Sequence, residues 1–124
     1  MPISVQWHNP EQTIVRWDFS DPWSFEEFVR ADDLANSMTP QVSHLVWHVL
    51  DFSQVRRLPR NVLRNLPQIS KVNQPHDNFA SPAIVVGSSG LTRVFVETFE
   101  RIYGGVALVD TVEQAEARVL SEMM

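Results

Sequence analysis

Apolar and polar positions alternate through the start of the chain. Ile3, Val5 and Trp7 are spaced by Ser4 and Gln6. After Asn9-Pro10-Glu11-Gln12, Val15, Trp17 and Phe19 alternate with Ile14, Arg16 and Asp18. A period of two marks strands with one buried face. Two such runs around a turn-forming segment predict a β-hairpin. Trp7 and Trp17 are expected to face each other across it, a pair contributing about 0.2–1 kcal/mol. Ser20-Asp21-Pro22 closes the hairpin.

The period then changes. Ser24 with Glu27 forms a capping box, and Phe25, Phe28, Val29, Ala31, Ala35 and Met38 give the following helix an apolar stripe. Glu26, Asp32 and Asp33 are expected off that stripe, and Pro40 ends the helix. Residues 44–52 are apolar in both alternating sets, as in a central strand covered on both faces. Residues 59–74 return to helical spacing with Val62, Leu66, Ile69 and Val72. Pro67 interrupts them, so the pattern predicts either a kink or two short helices with Asn65 as a cap. Residues 73–81 form the longest loop.

Ala83, Ile84, Val85 and Val86 make a short buried strand that ends in Gly87-Ser88-Ser89-Gly90. Leu91, Val94, Phe95, Phe99 and Ile102 mark an amphipathic helix, with Gly104 at its C-cap. A last strand over 106–109 precedes a second capping box, Thr111 with Gln114. This opens a helix carrying Val112, Ala115, Val119 and Met123. The resulting order is β-β-α-β-α-β-α-β-α. It predicts an α/β fold in which right-handed crossovers build a mostly parallel sheet and the hairpin adds an antiparallel edge.

At 124 residues the chain is sized for a single domain spanning 1–124. A content of 44% hydrophobic and 20% charged residues is that of a globular protein rather than a disordered one. With no cysteine, disulfides, thiolate metal sites and cysteine nucleophiles are excluded. The first ten residues lack the basic and apolar regions of a signal peptide, and no apolar run is long enough to span a bilayer. The expected address is the cytoplasm, without integral membrane association. A net charge of −5 argues against nucleic-acid binding.

Three stretches, in their order and spacing, resemble the STAS domain, in particular its SpoIIAA-like branch of small stand-alone bacterial proteins. They are Val49-Leu50-Asp51-Phe52-Ser53, Ile84-Val85-Val86-Gly87 before an amphipathic helix, and the closing Val109-Asp110-Thr111-Val112-Glu113-Gln114-Ala115. The resemblance implies a helix-covered mixed sheet and a protein that works by binding other proteins or a small ligand. Anti-sigma antagonists of that family carry Asp-Ser-Ser-Gly after the central strand and are phosphorylated on the serine. Here Pro59, Arg60, Asn61 and Val62 stand in those places, so the phosphoacceptor is missing. At the fold level the branch is also similar to lipid-binding CRAL-TRIO proteins, an analogy that does not fix function.

Two groups of residues are candidate sites. Open α/β sheets bind ligands at the carboxyl ends of their strands. That edge should present Ser53, then Gly87, Ser88, Ser89 and Gly90 at a helix N-terminus suited to an anion, with Arg93 one turn in and Thr111 beside it. The plain alternative is a glycine-permissive turn with a serine cap. The second group is basic: Arg56, Arg57, Arg60, Arg64 and Lys71 lie in a stretch free of acids between Asp51 and Asp77. With Ser53 and Asn61 they form either a surface for an acidic partner or a solvated face. Acids on the other helices permit self-association into a homo-dimer.

The remaining candidates read as structural. His44 and His48 sit four apart in a strand, roughly 13 Å, too far to share one ion. His8 and His76 are isolated. Trp23 and Trp47 read as core, with a tryptophan-lined ligand groove as the alternative. Ser53, Ser88 and Ser89 have no histidine placed to act as base. The sequence therefore predicts a non-enzymatic STAS-like regulatory or protein-interaction module without a cofactor. The alternative is a sensor of a nucleotide, phosphate or lipid at the carboxyl edge of the sheet.

Overall fold

The hairpin forms because the turn is tied by one side chain. In the computed structural model, which describes residues 2–57, 64–65, 78–87 and 90–124 (the side chain at 91 excepted), Asn9 accepts from the backbone N–H groups of Thr13 (3.1 Å) and Ile14 (3.3 Å). Its Nδ2 also donates to Thr13 Oγ1 at 2.7 Å. This Asx-type capping brings β1 (Ile3–Trp7) against β2 (Ile14–Ser20) in antiparallel register. Trp17 pairs with Val5, and Trp7 pairs with Val15. The two tryptophans share a face but are diagonal neighbours, a correction to the direct pairing expected above.

Ser24 Oγ accepts from the Glu27 N–H (3.1 Å) and starts α1 (Phe25–Met38), as its capping box predicts. A 3₁₀ turn, Thr39–Gln41, follows with Pro40 in its first turn. The central strand β3 (Trp47–Gln54) starts later than the apolar run suggests: His44 and Leu45 are exposed, and pairing begins at Ile14↔Trp47. The apolar rhythm marks what can be buried, whereas the ladder needs a neighbour, and β2 supplies none before Ile14. The expected helix over 59–74 lies outside the described residues, apart from a turn at Arg64 and Asn65.

Residues at the end of the expected long loop are tightly held. Asn78 Nδ2 donates to the carbonyls of Thr39, Val42 and His44 at 2.7, 3.0 and 3.2 Å. Phe79 bridges Val46 in parallel, so the sheet is already forming before β4 (Ala83–Val86). The helix α2 (Gly90–Ile102) ends at Tyr103 and Gly104, whose N–H groups reach back to Phe99 and Glu100 carbonyls. Gly104 has a φ of 73°, the left-handed conformation a glycine C-cap provides. Strand β5 (Val106–Val109) and helix α3 (Val112–Met123) complete the chain.

The five described strands lie in the order β1-β2-β3-β4-β5, with the first pair antiparallel and the other pairs parallel. Strand β3 is central, as expected. Alternate residues feed two cores. One face carries Val15, Trp17, Phe19, Phe52 and Val85, and packs against Phe28, Ala31 and Ala35 of α1 and Val96 of α2. The other carries Trp47, Val49, Ile84 and Val86, and packs against Ala115 and Val119 of α3. Over β1 and β2 this second face is polar, with Ser4 and Gln6 exposed and Arg16 and Asp18 half-buried. Arg16 donates to Asp18 (2.8 Å) and Asp51 (3.0 Å). Burial works against its charge, but those two carboxylates outweigh it and hold the guanidinium above its ordinary pKa.

Two helices turn differently from their predicted stripes. Along α1, Asp32 stands one turn beyond Phe28 and is buried with it, 1% exposed, rather than facing solvent. Burial, followed by the neighbouring Asp33 charge, pushes its carboxyl up to about 7, against one hydrogen bond from Asn36 (2.9 Å). On α2, Thr92 and Val96 are buried, while Val94 and Ile102 are exposed. Phe95 and Phe99 are half-buried.

Candidate functional site

Helices α1 and α2 cover the first face of the sheet without meeting tightly, and a slot of about 70 Å³ lies between them. Leu50, Phe52 and Val85 form part of its floor. Trp17, Trp23 and Phe28 wall one side, and Phe95, Val96 and Phe99 of α2 the other. Phe79, Ala83 and Val106 close it towards the amino ends of the strands. From His48 to Phe52 the floor follows β3 for four residue steps, about 13 Å of strand. The space is therefore slender rather than spherical.

Aromatic packing fixes this wall. Phe19 stacks on Phe52 with centroids 4.2 Å apart, and Trp23 meets Phe19 edge-on at 5.1 Å. Trp17 lies tilted against Phe28 at 5.6 Å. Such pairs add about 0.5–1.5 kcal/mol each beyond area burial. They join the end of β2, the end of β3 and the entry to α1, which sets the width of the slot.

His48 is the one histidine in the described wall, and it is 1% exposed. Trp17 Nε1–H donates to His48 Nδ1 at 3.2 Å, which requires that nitrogen to be unprotonated. Nε2 therefore carries the proton and donates to Thr39 Oγ1 at 3.1 Å. Thr39 in turn donates to the Ala35 carbonyl at 2.9 Å. The ring also stacks on Phe79 at 4.2 Å. The chain of donors holds His48 neutral, in one tautomer, with both ring nitrogens engaged.

Trp23 behaves differently. It is 7% exposed and lines the slot, yet its indole N–H has no hydrogen-bond partner. A buried donor left unsatisfied costs about 1–3 kcal/mol.

The sequence-predicted carboxyl edge is brought together. A Cβ on Gly87 would stand 3.4 Å from Phe52 Cβ and 3.4 Å from Thr92 Cγ2, at the edge of ordinary contact, so Gly87 packs against β3 and the start of α2. Gly87 N–H donates to the Val109 carbonyl at 3.0 Å, which places Asp110 and Thr111 next to it. Ser53 is exposed beside them, its N–H bonded to Asp51 Oδ1 at 2.9 Å. The Thr111 hydroxyl accepts from Gln114 N–H (3.1 Å) and so serves as the cap of α3. Arg93 lies 3.8 Å from Glu97 and 3.9 Å from Asp110, so carboxylates surround its charge. Gly90 is exposed, while Ser88 and Ser89 lie outside the described residues.

Of the basic group, Arg56, Arg57 and Arg64 are exposed, and the Arg56 N–H is tied to Asp21 Oδ2 at 2.7 Å. Arg60, Asn61 and Lys71 lie outside the described residues, as does His76. Among the described residues no cluster of histidine and carboxylate side chains could hold a metal ion. None of the described helices is long and apolar enough to cross a membrane. Comparison with family models, with curated proteins and with solved structures finds no match.

The slot combines side chains from six separated elements, and no local motif announces it. The available signals were the excess of aromatic residues and the tryptophan-lined groove they allowed. The sequence reads His48 as a structural histidine rather than a metal ligand. Its role as a satisfied polar group in the wall depends on Trp17 and Thr39, which adjoin it only after folding.

Proposed function

We propose that this chain is a non-enzymatic, STAS-like regulatory module whose input is a small apolar ligand held between the sheet and helices α1 and α2. The apolar slot is the observation that carries this reading. Concave sites lined by aromatic and aliphatic side chains with a few polar groups are the usual build of a ligand pocket. This moves the ligand from the carboxyl edge to the sheet face, and from nucleotide or phosphate to an apolar molecule. At about 70 Å³ the slot is smaller than the roughly 150 Å³ apolar cavity that holds benzene, so it takes part of a short chain and leaves the rest at its open side. Binding rather than turnover is supported by His48, whose two ring nitrogens are both engaged and so offer no base.

The test is a titration with hexane followed by NMR, with Val85→Phe as the blocked variant. Shifts confined to Leu50, Val85, Phe95 and Val106 that vanish in the variant are expected. Shifts elsewhere, or shifts that survive the block, would remove the proposal.

A second reading rests on the exposure of Arg56, Arg57 and Arg64, which suits an acidic protein partner. Replacing all three with Glu should abolish partner capture without unfolding the chain. Unchanged partners in a pull-down count against it.

A further inference from the structure

Strand β5 ends the described sheet, and its own sequence gives that margin no protection. Val106, Ala107, Leu108 and Val109 include no charge and no proline, the residues that usually blunt an edge. Strand β1, at the opposite margin, differs in exposing the polar Ser4 and Gln6. In an extended strand the N–H and C=O of one residue point to the same side, and successive residues alternate. The carbonyls of Gly105 and Val109 accept from the N–H groups of Ala83 and Gly87, so the odd-numbered residues face β4. Val106, Leu108 and Asp110 therefore face away from the sheet.

Two of these three outward N–H groups are taken by side chains. Glu100 Oε2 accepts from Val106 N–H at 3.0 Å, and Gln114 Oε1 accepts from Asp110 N–H at 2.7 Å. Leu108, between them, has no bond on that side to another described residue. Neither side chain is explained by its own helix. Glu100 lies in the last turn of α2, where the helix dipole disfavours an acid. A capping box would aim Gln114 at the N–H of Thr111, yet it reaches one residue further back.

We propose that Glu100 and Gln114 are guards that keep β5 from pairing with β5 of a second copy of this chain. In an antiparallel pair centred on Leu108, that residue exchanges bonds with its own image, and Val106 exchanges bonds with Asp110 of the other copy. The outward set is thus complementary to itself, and such a two-fold contact closes after two chains. The guards withdraw the Val106 and Asp110 donors from both copies. The central Leu108 pair alone is too little to hold two chains together.

Sedimentation of the full chain over a concentration series, with amide exchange read at Leu108, tests this. Removing both guards, Glu100→Ala with Gln114→Ala, should strengthen self-association and slow exchange at Leu108 as concentration rises. The expected gain is roughly ten- to a hundredfold per guard, the contribution of two net hydrogen bonds per dimer. Glu100→Gln with Gln114→Glu keeps an acceptor oxygen at each place and should behave as the parent does. Because Gln114 also belongs to the start of α3, Glu100→Ala is read alone as well, and it should show its own gain with Leu108 slowed. Unchanged association of the alanine variants would overturn the proposal. So would association without slower exchange at Leu108, which puts the contact on another surface. Equal association of the acceptor-keeping variant would overturn it too, since the acceptors would then not be what guards the edge.

Discussion

Replacing Asp32 with asparagine should stabilise this protein in alkaline solution and do little in acid. The carboxyl sits on the buried side of α1 beside Phe28 and Ala31, and burial raises it from 3.8 to about 7. In the unfolded chain it ionises near 3.8, so between about 4 and 7 the native state holds a proton that the unfolded state has lost. Stability from this group is therefore fully present below 3.8 and is lost as pH rises through about 7. The gap corresponds to about 4 kcal/mol at pH 8.

Asparagine has nearly the same shape and no charge, and its amide can donate to Asn36 Oδ1, which is buried without a partner. Urea unfolding followed by tryptophan fluorescence at half-unit steps from pH 4.5 to 8.5 measures the difference between the two proteins. Taking the difference cancels the titrating groups that are not coupled to Asp32, Asp33 being the coupled one. The variant should gain progressively above pH 5, reaching a midpoint about 2 M higher by pH 8 for a slope near 2 kcal/mol/M. A difference that stays flat with pH, or one that grows towards acid, would refute the burial argument.

Three further outcomes follow from the same geometry. His48→Phe should cost about 1–3 kcal/mol in urea unfolding, because Trp17 Nε1–H is left buried without its acceptor; a cost below half a kcal/mol would mean the network is slack. Asn78→Ala removes the amide that ties the Thr39, Val42 and His44 carbonyls, so it should cost about 1–3 kcal/mol and speed amide exchange at Val46 and Ala80. Unchanged exchange there would contradict the anchoring role. Thr111→Ala should lower stability by about 1 kcal/mol through loss of the α3 cap, measured by thermal unfolding; no loss would mean the hydroxyl is not acting as the cap.

Those elements whose signals are local could be read from the chain. The hairpin followed from its period and from Asn9. Both capping boxes, Ser24 with Glu27 and Thr111 with Gln114, start helices where they stand. Gly104 ends α2 for the reason glycine usually does. What escaped depends on partners distant in sequence. Asp32 falls at the i+4 position from Phe28, inside the buried stripe, but its charge argued for solvent; packing around α1 overrode that preference. The onset of β3 was set by where β2 begins. The slot arises because side chains from both sides of the sheet face stop short of one another, a property of volumes that no periodicity encodes. The carboxyl edge was legible, since strand direction alone dictates it, but the occupied state of Thr111 and Arg93 was not.

The unbroken order of the strands bears on how the chain acquires its shape. Each described strand after β1 pairs with the one made just before it, so none of these strands waits for a partner still to be synthesised. Such neighbour-by-neighbour growth keeps loop closures short and favours assembly from the amino end as the chain emerges. The exception is α3, which follows β5 and covers Trp47, Ile84 and Val86. Until it docks, one side of the paired strands stays greasy and open, so the species most prone to aggregate during biogenesis is the chain in which α3 has not yet docked.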